Sequence, residues 1–449
     1  MTPPLSFDDL KAILHQCSAH LPDHRQHSPN TRYTMQDTAL GAFGIFCTQS
    51  PSFLEYQRRL QASKGRHNAQ TLFGVQQIPC DNQIRTLLDP IAPSHCDPIV
   101  LAVFQRLEQH HLLDSFRVLG DQLLVALDGT TSFSSQAIHC PNCLTRQLSN
   151  GHTLSYHPAI TPVVVSPRRS PVIALPPEYL MPQDGHAKQD CEQMAGTRWI
   201  RHHAQALAPH HVTLLGEDLY SKQPFWALAL AQGFNFIVVC QPDSHPKLYE
   251  RVAFWHANDG ITACERRHWH GRFTAVALYR FLNDVLLLEG QEALPVNWFA
   301  ITVINAKTGE QLYHKSFITN HQVTADNVAE AAQAGRGRWK IENENNNILK
   351  TKGYHVEHNF GHGQQYLAAM MLRLNLIAFL FHTVLEWSDA EYTLLRQVLA
   401  RRQTFFEDIR ALMRSMVFDS WQHLMGFMLR GLDRESRLEP QPAPRLDTS

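Results

Sequence analysis

Residues 122–128 read Gln122-Leu123-Leu124-Val125-Ala126-Leu127-Asp128 and run on into Gly129-Thr130. An unbroken apolar run this short, closed by an acid and a glycine, predicts a strand covered on both faces. Two later runs, Ile160-Thr-Pro-Val-Val-Val-Ser166 and Pro171-Val-Ile-Ala-Leu175, are β-branched and proline-bounded, and predict two more strands. Further out come a helix over 188–207, a strand at His211-Val-Thr-Leu-Leu-Gly216 ending before Glu217-Asp218, a helix over 224–232 and a strand at Asn235-Phe-Ile-Val-Val-Cys240. Three strands, helix, strand, helix, strand is the order of an RNase H-like core, an α/β fold with a mixed sheet and helices on both faces.

Around that core the chain divides into further pieces. Residues 1–115 place apolar side chains at helical spacing over 7–21, 53–63 and 99–113, with turns at Ile78-Pro79 and Asp89-Pro90. They predict a helical N-terminal domain. Residues 116–244 hold the first part of the core. A β-rich insertion spans 245–322, with strands expected over 272–278, 298–304 and 311–317. Residues 323–432 complete the core with a helix over 326–350, interrupted by Gly335 and Gly337, and with C-terminal helices. The tail 433–449 contains Glu439-Pro-Gln-Pro-Ala-Pro444 and reads as disordered.

Composition narrows the setting. The chain has 449 residues, 44% hydrophobic and 18% charged, the make-up of a globular protein. Residues 1–8 carry no leader-like pattern. The most apolar stretch, 366–385, holds Arg373, Asn375 and His382 and predicts a buried helix rather than a membrane span. Nine thinly spread cysteines suit a reducing cytosol and not a disulfide framework. A net charge of −1 gives no overall basic face, yet basic residues cluster locally. Arg58, Arg59, Lys64 and Arg66 form one group. Arg336, Arg338, Lys340, Lys350 and Lys352 surround Glu342 and Glu344. Such clusters predict contacts to phosphates.

Three carboxylates stand out: Asp128 and Asp218 at predicted strand ends, and Glu342, with Glu344 as its rival, on the following helix. Strand ends in an open α/β sheet bring distant residues together. Hard divalent cations prefer oxygen ligands, and two of them roughly 4 Å apart can hold both oxygens of an in-line phosphoryl displacement. The reading is therefore Mg²⁺ or Mn²⁺, two ions, on Asp128, Asp218 and Glu342. Arg338 lies four residues before Glu342, on the same helix face. Lys350 follows about two turns on.

Leu127-Asp128-Gly129-Thr130, Leu215-Gly-Glu-Asp218-Leu-Tyr220 and Gly337-Arg-Trp-Lys-Ile-Glu-Asn343 resemble the three blocks of the DDE transposases of bacterial insertion sequences, in the branch related to insertion sequence four. Pro182-Gln-Asp-Gly-His186, Lys188-Gln-Asp-Cys-Glu192 and Tyr354-His-Val-Glu-His-Asn359 extend the resemblance across roughly residues 35–385. It implies metal-dependent cleavage at transposon ends, joining to target DNA, and a homodimer on terminal inverted repeats in the bacterial cytoplasm, at the nucleoid. It implies catalytic roles for Asp128, Asp218, Glu342, Arg338 and Lys350; the basic clusters, by their charge, are expected to supply DNA contacts from Arg58, Arg59, Lys64, Arg66, Arg336, Lys340 and Lys352. Two positions depart from the family pattern. Gly335 stands where the family has tyrosine, and Leu349, followed by Lys350, stands where it has lysine. A nuclease without strand transfer and a non-catalytic DNA-binding derivative are the competing readings.

One further motif is separate from the acids. His139-Cys140-Pro-Asn-Cys143, followed by His152 and His157, has the residue types of a structural zinc site with Cys140, Cys143, His152 and His157 as ligands. The alternative is a reduced turn whose thiols pack as small hydrophobes.

Overall fold

The computed structural model describes residues 5–26, 31–182, 190–269 and 271–432. The tail 433–449 and most of the segment around His186 and Lys188 lie outside the described residues. The chain forms two compact units. One comprises Met1–Ile99, Lys352–His355 and Met370–Ser449; the other comprises Val100–Thr351 and Val356–Ala369.

The first unit begins with α1 (Phe7–Ser18), α2 (Met35–Cys47), α3 (Phe53–Gln61), α4 (Ser63–Phe73) and α5 (Asp81–Leu88). Helix α1 starts at a capping box: the Asp9 N–H donates to Ser6 Oγ at 3.2 Å, and the Ser6 N–H donates to the Asp9 carboxylate at 2.8 Å, satisfying two end donors. Helix α2 is buried along nearly its whole length, as its run of Ala, Leu, Gly, Phe and Ile requires.

Helix α6 (Asp97–Gln109) leads into the second unit. There β1 (Leu123–Ala126) is buried at all four positions. The chain then leaves the main sheet for β2 (Gly129–Ser135), β3 (Leu144–Gln147) and β4 (Thr153–Ile160), and returns as β5 (Val163–Ser166) and β6 (Arg169–Ala174). A short β7 (Glu178–Tyr179) pairs with β4, and β2-β4-β3 form a small sheet of their own. This excursion is missing from the sequence reading, which runs from the first strand directly to the second. Its first strand, Gly-Thr-Thr-Ser-Phe-Ser-Ser, is half exposed and offers little apolar alternation to detect.

Helix α7 (Glu192–Leu207), β8 (Val212–Gly216), α8 (Gln223–Ala231) and β9 (Asn235–Val239) follow in the expected order, and α9 (Pro246–Ala257) is additional. Strands β10 (Thr262–Trp269), β11 (Thr274–Leu286), β12 (Pro295–Asn305) and β13 (Gln311–Thr319) make an antiparallel meander. Four strands occupy the 245–322 insertion, against three expected. The extra one, β10, carries Glu265, Arg266, Arg267 and His268 on an exposed edge, where charge discourages further pairing.

The main sheet has nine strands in the order β10-β11-β12-β13-β9-β8-β1-β5-β6. Strand β1 is antiparallel to β5 and parallel to β8, and β8 is parallel to β9. The insertion therefore continues the central sheet through the antiparallel pair β9–β13. The fold is a mixed α/β architecture with many helices.

The helix expected over 326–350 is in pieces: α10 (Val328–Arg336), a π-helical stretch Ile341–Asn346, and α11 (Asn347–Thr351). A methyl group on Gly335 would meet Phe317 Cε1 at 2.8 Å. Glycine lets α10 lie close on β13, and a larger side chain would displace it.

Helices α12 (Leu367–Ser388), α13 (Ala390–Val398), α14 (Arg402–Ser415) and α15 (Trp421–Gly431) end the described chain. From Met370 onward they share a unit with α1–α5, not with the sheet, in contrast to the expectation that 323–432 completes the core. Phe7 stacks on Trp421 at 4.3 Å between ring centroids. Helix α12 is long and apolar enough to cross a membrane, but its most apolar window is 89% buried inside the protein. Its polar groups are matched within the unit: Arg373 pairs with Asp97, and His382 lies between the Tyr354 hydroxyl (2.8 Å) and the Cys47 carbonyl (3.0 Å).

Candidate active site

Strand β1 delivers Asp128 to a cleft of about 860 Å³. The Leu127 N–H still donates to Leu215 O, and the Thr161 N–H donates to Asp128 O at 3.1 Å, so the residue is fixed where β1 and β5 part. Asp128, Glu192, Glu342, Asn346 and Lys350 all line the cleft. Glu192 comes from the first turn of α7, where a carboxylate suits the helix dipole. Its carboxyl lies against Gly129; a methyl group there would sit 2.3 Å from Glu192 Oε1.

The electrostatics are those of crowded acids. Burial pushes the Asp128 carboxyl up to about 6; Arg338 opposes this, and Glu192 and Glu342 add to it. Burial also raises Glu192, with the neighbouring Tyr220 hydroxyl opposing.

The π-helical stretch is bound to this strand end by a buried amide network. Thr161 Oγ1 donates to Asn346 Oδ1 at 2.9 Å, and Asn345 Nδ2 donates to the same oxygen at 2.9 Å. Asn346 Nδ2 lies 3.5 Å from Asp128 Oδ2. One turn earlier, the buried Arg338 reaches both Glu342 (2.8 Å) and Glu217 with Nη2. Its Nη1 is buried with no hydrogen-bond partner among the described residues.

The sequence-derived acids are thus placed unequally. Asp128 and Glu342 share the cleft, and Arg338 links Glu342 to Glu217. Asp218 does not join them. Its carboxylate accepts from the Gln241 N–H at 2.8 Å and from the Ser244 hydroxyl, and so holds the turn between β9 and α9. Glu344 is not among the cleft's lining residues; burial disfavours the Lys340 ammonium, and the Glu344 charge opposes that. Lys350 lines the cleft and pairs with Glu357 at 3.1 Å.

Among the basic residues read as DNA contacts, Lys340 needs correction. It is 7% exposed and donates to Ser166 O at 2.7 Å and to Arg169 O. A buried ammonium must find such acceptors, and here they fasten the β5–β6 turn. Arg336 is exposed and stacks over Tyr313 at 4.4 Å. In the helical unit Arg58, Arg66 and Lys352 are exposed; Arg59 pairs with Glu55, and Lys64 donates to Ser415 O at 2.5 Å.

The cysteine motif gathers a different set of ligand atoms from the one expected. Cys140, Cys143 and His157 converge, and the fourth group is His362. His152 is exposed in the turn between β3 and β4; that hairpin's geometry aims the strand residue His157 inward and the turn residue outward. His362 is 205 residues from His157, beyond the reach of any spacing rule. Glu192 and Glu217 were present in the quoted motifs but unassigned. Only the packing of α7 on Gly129 and the position of Arg338 distinguish them.

No protein-family model matches the chain, and no curated protein matches it. Among solved structures, the cryo-EM piggyBac transposase synaptic complex with hairpin DNA aligns at a TM-score of 0.39 and 9% identity, over 97% of this chain and 80% of that one. Likeness at that level carries neither fold nor function across.

Proposed function

We propose that the protein is a DDE-type DNA transposase of the insertion-sequence kind, with an RNase H-like core and with Asp128, Glu217 and Glu342 as its acids. The observation that carries this reading is the meeting of Asp128 and Glu342 in one cleft, with Arg338 joining Glu342 to Glu217. The strand order β6-β5-β1-β8-β9, antiparallel and then parallel, supports the core assignment. Glu217 replaces Asp218 in the proposal because the Asp218 carboxylate is engaged by the β9–α9 turn.

The donor set has the chemistry of a hard divalent-cation site: carboxylate oxygens only, with the charged form of Asp128 disfavoured by burial and by the nearby Glu192 and Glu342, against the pull of Arg338. Asp128, Glu217 and Glu342 would hold Mg²⁺ or Mn²⁺, which would supply Lewis-acid stabilisation and lower the pKa of a water. The chain's own groups do the rest. Arg338 orients two acids at once. Asn346 holds Asp128. Lys350 stands at the cleft to meet a phosphate oxygen, and Glu192 is placed to take a proton from the attacking hydroxyl. Exposed Arg58, Arg66, Arg336 and Lys352 supply backbone contacts to DNA. Joining two ends needs two such sites, hence a homodimer on DNA.

The test is Mg²⁺-dependent cleavage of a duplex made from the DNA at the borders of the coding region, together with strand transfer of a pre-cut end. Asp128→Asn, Glu217→Gln and Glu342→Gln are expected to cut at background rate while still binding the duplex. Asp218→Asn is expected to retain cutting in proportion to its remaining folded fraction. Wild-type rates in Asp128→Asn would overturn the reading. Cutting without transfer by the wild type would leave a nuclease.

A further inference from the structure

We infer that Cys140, Cys143, His157 and His362 form a structural zinc site that fastens the β3–β4 hairpin to the loop after α11. The ligand geometry stands independently of the transposase reading. Cys140 Sγ and Cys143 Sγ are 3.8 Å apart, far beyond a disulfide bond of about 2.05 Å. His157 Nε2 lies 3.4 Å from each sulfur, His362 Nε2 lies 3.4 Å from Cys143 Sγ, and the two ring nitrogens are 3.4 Å apart.

These are the edges of a tetrahedron. Zinc bonds of about 2.3 Å to sulfur and 2.05 Å to nitrogen at tetrahedral angles place S and S about 3.8 Å apart, S and N about 3.5 Å, and N and N about 3.3 Å. Five of the six edges match that set, and the sixth, from Cys140 Sγ to His362 Nε2, is no longer than 4.8 Å. Packed thiols alone give no reason for two imidazoles to turn their Nε2 atoms onto the same point. Four protein ligands close the shell, and a closed shell marks a structural rather than a catalytic zinc.

The placement gives the metal a task. Leu144, Tyr156 and Pro158 of the hairpin line the same cleft as Asp128 and Glu342. His362 lies in the segment that follows α11, the helix carrying Lys350. Asn142 reinforces the junction by donating to Gln365 O. One ion therefore secures a wall of the cleft to the chain leaving the glutamate helix.

The experiment is metal analysis of the purified full chain, with cobalt substitution and X-ray absorption at the zinc edge. Expected are one zinc per chain, a tetrahedral thiolate–cobalt spectrum, and a shell of two sulfurs and two nitrogens. His362→Ala and Cys143→Ser are expected to release zinc to a chelator that leaves the wild type loaded, and His152→Ala to keep it. A wild type that neither carries zinc nor takes up cobalt would overturn the proposal. So would an unchanged cobalt spectrum in His362→Ala. If the variants fail to fold, the wild-type absorption shell decides: any composition other than two sulfurs and two nitrogens refutes the assignment.

Discussion

Replacing Asp128 by asparagine should stabilise the protein while ending its proposed chemistry. Moving a carboxyl from its ordinary 3.8 to about 6 makes its ionised form cost at most about 3 kcal/mol near pH 7.5, somewhat less after screening by the cleft's solvent. The sign follows from the raised value. The folded protein binds the proton more tightly than the unfolded chain. This contribution is therefore fully present below about pH 4 and is lost as pH rises through about 6. Asparagine mimics the neutral form at every pH. In Mg²⁺-free buffer, Asp128→Asn should thus melt roughly 5 °C above wild type at pH 7.5, at about 2 °C per kcal/mol for a unit of this size. It should melt close to wild type at pH 4.5. Scanning calorimetry of both proteins at the two pH values measures the gap directly. A gap independent of pH, or a variant less stable at pH 7.5, would refute the picture of a buried carboxylate pressed by Glu192 and Glu342.

Lys340→Met should lower stability by about 2–3 kcal/mol through loss of charged hydrogen bonds to Ser166 O and Arg169 O, read by denaturant unfolding. The salt dependence of DNA affinity should not change; a slope reduced by about one would make Lys340 a phosphate contact after all. Gly129→Ala should slow single-turnover cleavage without weakening DNA binding, because the new methyl group displaces the Glu192 carboxyl; an unaffected rate would show that Glu192 has no part. Arg338→Lys should also slow cleavage, since the shorter side chain with its strongly hydrated ammonium would not bring a donor to the point where Nη2 meets both Glu217 and Glu342. Full activity in that variant would remove Arg338 as the positioning group.

How far the sequence could be read depended on where each signal was stored. The strand ending at Asp128 was legible because burial on both faces demands an unbroken apolar run. Strands β2 and β10 were not, since one is rich in serine and threonine and the other is a charged edge. The engagement of the Asp218 carboxylate was not legible either, because its partners Gln241 and Ser244 lie in the β9–α9 turn, more than twenty residues on in the sequence. Basic residues look alike as letters, yet Lys340 is buried structure and Arg58 is surface. His362 joins its partners only through tertiary packing.

The helical unit is assembled from stretches far apart in sequence: Phe7 of α1 stacks on Trp421 of α15, and most of the residues of the sheet-bearing unit come between those two positions in the sequence. During synthesis the first hundred residues therefore emerge long before the helices that cover them. Truncating the C-terminus at α14 or α15 would strip the N-terminal helices of their partners and expose Phe7. A fragment cut after α5 would be an incomplete fold, to be held soluble by a chaperone or lost to proteases.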